Sequence, residues 1–195
     1  MTEIFVVVVT GVPASGKSVF AKKLGSRLRD STIIELNDLV KKYKAYSGKD
    51  RFGSYIVNLR KLDMAVKLAL ERSRKRNIIL VGHLAPAVSV HADILVVIRE
   101  KLEKLAGRME RRGYKKEKIA ENLSAEISME WLRRRRRIKC KEVYEIESAK
   151  DRRAIISYIV ARSYGKKRKK PDAAAIGNRM KELMTLIKKG NRYGL

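Results

Sequence analysis

Gly11-Val12-Pro13-Ala14-Ser15-Gly16-Lys17-Ser18 is a complete G-x-x-x-x-G-K-[ST] phosphate-binding loop. It directly follows the apolar run Ile4–Val9 and leads into Val19–Leu28, whose apolar residues fall at helical spacing. Strand, glycine loop and helix form the context that gives this motif its chemistry. Gly11 and Gly16 let the backbone curl so that successive N–H groups point inward at phosphate oxygens. The helix beginning near Lys17 adds the positive end of its dipole at the same place. Lys17 is expected to reach the β- and γ-phosphates of ATP, and the Ser18 hydroxyl to be a ligand of Mg²⁺. Gly11, Pro13, Ala14, Ser15, Gly16, Lys17, Ser18 and Val19 are therefore the candidate nucleotide-binding residues.

Composition bounds the setting. A chain of 195 residues makes one domain with room for an appendage, and it can bury a substantial core. Cys140 is the single cysteine, which excludes an internal disulfide and fits a reducing compartment. Ile4–Val9 is too short for a secretory signal, and its flank carries Glu3 with no Lys or Arg. No apolar stretch approaches bilayer-spanning length. A cytoplasmic protein with no membrane partner is expected.

Charge is the second informative feature. The 47 Lys and Arg outnumber the 21 Asp and Glu, giving a formal net charge of +26. The chain has no Gln, as thermophile proteins tend to, but thermophile ion-pair networks need both signs, and here the cations are unmatched. A field of this strength calls for a polyanionic partner, most simply RNA. Arg133–Arg137 is an unbroken arginine run, extended by Lys139 and Lys141. Phosphate contact would relieve its self-repulsion, and a solvated helix is the alternative. Lys166–Lys170 has the same two readings. No aromatic residues interleave either run, so both suit backbone phosphates and not base recognition.

Five segments read as strands: Ile4–Thr10, Thr32–Glu35, Ile78–Gly82, Asp93–Ile98 and Glu142–Ile146. Helically spaced segments such as Leu59, Leu62, Ala65, Val66 and Ala69 lie between them. This alternation predicts an α/β fold, a P-loop NTPase with a parallel sheet covered on both faces. The nucleotide belongs at the carboxyl ends of the strands, beside the first. A boundary near residue 164 divides a kinase-like domain (1–164) from a basic extension (165–195). In the extension, Ile176, Met180, Leu183, Met184 and Ile187 predict an amphipathic helix.

The second half of the chain narrows the class. Gly107-Arg108-Met109-Glu110-Arg111-Arg112-Gly113-Tyr114 is followed by Glu121-Asn122 and Ala125-Glu126-Ile127, and Gly82-His83-Leu84 follows the third strand. Over roughly residues 3–160 the chain resembles the adenylate-kinase-like ATPases of archaea and eukaryotes, the coilin-interacting nuclear ATPase type. That family acts in small ribosomal subunit assembly. The resemblance implies the adenylate kinase type of five-stranded parallel sheet, order 2-3-1-4-5. It also implies a monophosphate-binding segment at about residues 36–60 and a short lid at about 108–120. Arg108 and Arg112 fall where the family has arginines bordering and within the lid, a placement that suits stabilising a phosphoryl group in transfer. A solvated basic helix face comprising Arg108, Arg111 and Arg112 is the alternative.

His83 corresponds to a family histidine that helps position a water. Two residues earlier, where the family usually carries an acid that orients magnesium, this chain has Val81. Asp38 and Asp93 are the nearest substitutes in the sequence. The expectation is an ATP- and Mg²⁺-dependent nucleoside-monophosphate kinase (ATP and AMP giving two ADP) with ATPase activity. Lys17, His83, Arg108 and Arg112 would be its catalytic residues. The implied partners are AMP, rRNA of the pre-ribosomal small subunit, and a platform ribosomal protein of that subunit. A metabolic monophosphate or small-molecule kinase, and a weakly hydrolysing nucleotide-controlled RNA-binding module, are the rival readings.

Overall fold

Val6–Val9 sets the layering of the molecule. Alternate side chains of this strand enter two different cores: Val6 and Val8 one, Val7 and Val9 the other. A computed structural model describes residues 4–128 and 138–171. Its elements are β1 (Phe5–Thr10), α1 (Lys17–Gly25), β2 (Ser31–Glu35), α2 (Leu36–Lys42), β3 (Tyr46–Lys49), β4 (Tyr55–Val57), α3 (Leu59–Glu71), β5 (Asn77–Val81), β6 (Val90–Ile98), α4 (Leu102–Arg111), α5 (Lys116–Ser128), β7 (Ile138–Ile146) and α6 (Ala149–Ser163).

The main sheet has five strands in the order β2-β5-β1-β6-β7, every neighbouring pair parallel. Counted among themselves these strands run 2-3-1-4-5, the adenylate kinase type of P-loop sheet. Leu36, Leu39 and Val40 of α2 and Leu62, Ala65 and Val66 of α3 cover one face. Phe20, Ala21 and Leu24 of α1 and Ile155, Ile156 and Ile159 of α6 cover the other. A third cluster joins Val12 and Ala14 of the glycine loop to Leu102, Leu105, Ala106, Met109, Ile119 and Leu123 of α4 and α5.

Several expected boundaries move. Ile4 and Gly82 lie outside the strands, while β6 starts at Val90 and β7 at Ile138. The added residues include exposed His91 and Lys139, which pair with each other. Their polarity hides a strand that is held by its neighbour and not by burial. The segment near 36–60 contains an antiparallel β3–β4 hairpin that apolar periodicity does not reveal, because its side chains are only half-buried. The lid expected near 108–120 is the junction of two helices, turned at Gly113 with φ 74°. Arg133–Arg137 and the amphipathic segment beyond residue 171 lie outside the described residues.

Candidate active site

The loop after β1 is shaped by close approach. A Cβ on Gly11 would stand 2.4 Å from the Ile98 carbonyl oxygen at the end of β6, so only glycine lets the loop pass there. Gly11, Ala14 and Gly16 all have positive φ, at 145°, 64° and 98°. Ala14 therefore holds a conformation that costs a residue with a Cβ of order 1 kcal/mol or more. Phe20 N–H donates to the Gly16 carbonyl at 3.0 Å, closing the first turn of α1. The N–H groups of Lys17, Ser18 and Val19 precede that bond and are left for an anion. Ser18 is exposed, and so is the Val19 side chain, which makes Val19's contribution that of its backbone.

Lys17 curls back so that its Nζ donates to the Val12 carbonyl at 2.7 Å. Burial strips water from the ammonium and lowers its pKa to about 8; Arg112 pushes the same way, while Glu35 and Glu126 oppose. Arg108, from the last turn of α4, donates to the Ala14 carbonyl at 3.0 Å and to Glu100 Oε2 at 2.7 Å. Arg112, exposed just after the last residue of α4, acts on Lys17 through its charge. His83 follows the end of β5. It keeps an exposed face, yet crowding by the surrounding protein and the charges of Lys17 and Lys118 lower its pKa to about 4, so it is neutral near pH 7.

Three further residues enter the site without a sequence signal. Arg152 of α6 donates to the Arg99 carbonyl at 3.2 Å and lies 3.5 Å from both the Ser15 carbonyl and Glu100 Oε2. Its Nε is buried without a partner. Glu100, buried itself, thus gathers the two guanidinium groups at the rim of the loop. Lys118 of α5 reaches across to the β3–β4 turn, 3.5 Å from Asp50 and 5.1 Å from the centre of the Phe52 ring. Each meets the site from a distant part of the chain. A basic residue in a chain this basic carries no positional signal.

The proposed substitutes for an acid at Val81 fare differently. Asp93 accepts from Val6 N–H at 2.8 Å and pairs with Lys141 at 2.8 Å, at the amino end of β1 and so the wrong end of the sheet. Asp38 is exposed in the first turn of α2.

The loop's own chemistry fits a nucleotide with its cation. The hydroxyls of Thr10 and Ser15 are buried and lack hydrogen-bond partners at the turn where phosphate oxygens would lie. Ser18 offers the kind of oxygen that a hard cation takes. Among the described residues no group of three or more His, Cys, Asp or Glu side chains forms a metal cage.

A family model described as an AAA domain matches residues 7–128, from β1 through α5. The chain belongs to this AAA domain family of adenylate-kinase-like P-loop proteins. Among its relatives, a protein of Methanocaldococcus jannaschii named "Putative adenylate kinase" is 36% identical over 122 residues, covering 62% of this chain and 66% of the relative. A protein of the same name from Methanosarcina mazei is 32% identical over 182 residues, covering 78% of this chain and 87% of the relative. Among solved structures, APE1195 superposes with a TM-score of 0.51 at 15% identity, covering 85% of this chain and 97% of that one. The tunicamycin resistance protein of Deinococcus radiodurans superposes with a TM-score of 0.50 at 17% identity, covering 87% of this chain and 100% of that one. At such identities these two structures speak for the fold alone.

Proposed function

We propose that this AAA domain protein is a nucleoside-monophosphate kinase, which transfers the γ-phosphoryl group of ATP to AMP and to water when AMP is absent. The observation that carries the proposal is the convergence of three cations on one loop: Lys17 lies inside it, and Arg108 and Arg152 donate to its carbonyls or lie beside them. Partly buried cations arranged in advance stabilise charge spread over a transferring phosphoryl group with little reorganisation. The name shared by the archaeal relatives supports the same reading.

In the proposed reaction an AMP phosphate oxygen forms a bond to the γ-phosphorus as the bond to the ADP leaving oxygen breaks. Lys17 holds the β- and γ-phosphates. Arg108 and Arg112 stabilise the group in transfer, aided by Arg152. Neutral His83 offers a lone pair to a water near the γ-phosphate. Magnesium, held through the Ser18 hydroxyl, would neutralise charge on the phosphates. The α2 to β4 segment, tied to α5 by Lys118, is the proposed seat of AMP.

The charge of +26 favours a place for this reaction in cytoplasmic maturation of the small ribosomal subunit, with rRNA and a platform ribosomal protein as partners. Coupled measurement of ADP formation with and without AMP, and with and without rRNA, tests both parts. AMP should raise ADP formation well above the ATP-only rate, and rRNA should alter it further. Lys17→Ala should lower turnover by roughly 10²- to 10³-fold with circular dichroism unchanged. Turnover within a few-fold of the unsubstituted protein would remove the loop from the mechanism. A rate indifferent to AMP would favour the nucleotide-controlled binding module, and a rate raised by AMP but indifferent to rRNA the metabolic kinase.

A further inference from the structure

β5 ends beside the glycine loop on Val81, a fully buried member of the core on the α1 side of the sheet. P-loop enzymes hold Mg²⁺ between the loop's Ser or Thr hydroxyl and a carboxylate at a neighbouring strand end. Val81 offers neither oxygen nor charge.

The strand register brings a carboxylate alongside. Glu35, the last residue of β2, is the direct partner of Val81 across the parallel β2–β5 ladder, and adjacent strands lie about 4.8 Å apart. Ladder partners project to the same side of a sheet. The preceding pair on that side, Ile33 and Ile79, identifies it: a Cβ on Gly25 of α1 would stand 3.2 Å from Ile33 and 3.6 Å from Ile79. Glu35 therefore projects on the face covered by α1, whose first turn carries Lys17 and Ser18.

The end of β2 is held against β5 by a close approach that needs glycine. A Cβ on Gly82 would come within 2.8 Å of the Leu36 side chain. Glu35 is half-buried, and among the described residues its carboxylate has no ion pair and accepts no hydrogen bond. Its charge nonetheless reaches the Lys17 ammonium, which it stabilises against the cost of burial. Of the other carboxylates considered, Asp93 is held at the far end of the sheet, Glu100 pairs with Arg108 and Glu126 with Arg99, while Asp38 is exposed on α2.

We propose that Glu35 is the carboxylate that positions the magnesium of a bound nucleotide with Ser18, so that β2 supplies what the end of β5 lacks. The inference rests on the nucleotide-binding reading above. Carboxylate and cation would meet through the cation's water shell, since Mg²⁺ keeps several waters in such sites.

The test is binding without turnover. Affinity for the non-hydrolysable ATP analogue AMP-PNP is measured by calorimetry in magnesium and in chelator, for the unsubstituted protein, Glu35→Gln and Glu35→Asp. Binding of Mn²⁺ in the presence of AMP-PNP is read by electron paramagnetic resonance. Glu35→Gln should keep its chelator affinity within a few-fold while losing about 10- to 100-fold of the tightening due to magnesium, the usual cost of removing an outer ligand. Glu35→Asp should retain part of it. Full tightening in Glu35→Gln, or an equal loss of affinity with and without the metal, would overturn the assignment. If the unsubstituted protein fails to bind AMP-PNP at all, the nucleotide reading itself falls.

Discussion

Lys17 illustrates how one side chain couples the site to pH. Its pKa of about 8 in the free protein comes chiefly from burial, which disfavours the ammonium. A triphosphate beside Nζ favours the charged form, so binding should raise that pKa. At pH 7 most free molecules already carry the charge. Near pH 8 about half must take up a proton on binding. Nucleotide affinity should therefore fall as pH rises from 7 towards 10, steepening above 8. Calorimetry at pH 8 in two buffers of different ionisation enthalpy should report proton uptake, and Lys17→Arg should abolish it because arginine stays charged. Proton release on binding, or affinity flat from pH 7 to 10, would contradict the assignment.

At the scale of elements, the site depends on how α6 begins and how α5 is held. Ser148 caps α6: its Oγ accepts from Asp151 N–H at 3.1 Å, and Asp151 Oδ2 accepts in return from Ser148 N–H at 3.2 Å. The next residue is Arg152, so this cap fixes the turn from which Arg152 reaches the glycine loop. Ser148→Ala should cost about 1 kcal/mol and lower the melting temperature by roughly 2–4 °C. Scanning calorimetry reads this directly; an unchanged melting temperature would mean that the cap contributes nothing. α5 is fastened to the sheet by Arg99, whose Nε donates to Glu126 Oε1 at 2.6 Å with both side chains buried. Removing one partner of such a pair is expected to cost about 3–5 kcal/mol.

For the whole molecule the governing quantity is the unmatched charge. Residues 165–195 carry ten Lys and Arg against Asp172 and Glu182, a net +8. Lys170 lies 3.8 Å from Glu142 and Tyr164 Oη accepts from Arg29 N–H at 3.3 Å, both near the surface. A chain ending at Tyr164 lacks the ion pair and keeps the hydrogen bond; Glu142, largely buried, still has Arg162 at 3.6 Å and accepts from the Tyr158 hydroxyl at 2.8 Å. This truncation should leave ATP turnover without RNA nearly unchanged and weaken rRNA binding. The log–log salt dependence of rRNA affinity should flatten by about one unit for each phosphate that the protein no longer neutralises. An unchanged salt slope would remove the extension from the RNA interface, and a collapse of turnover would place it in the catalytic domain.

The sequence by itself determined the glycine loop, the strand before it and the helix after it, because eight consecutive residues carry that geometry locally. The central strands were equally legible, since burial on both faces leaves an unbroken apolar run such as Ile78–Val81. The sheet order came from resemblance, and the structure has it. Only the tertiary structure decided which charged side chains meet at the loop. Arg152 is 137 residues from Ser15, and Glu100 chooses between cations that look alike in the sequence. It also turned Asp93 away from the loop end and set Glu35 beside Val81. The physical reason is that a parallel sheet orders its strands by packing and register, so neighbours at its carboxyl edge come from distant parts of the chain.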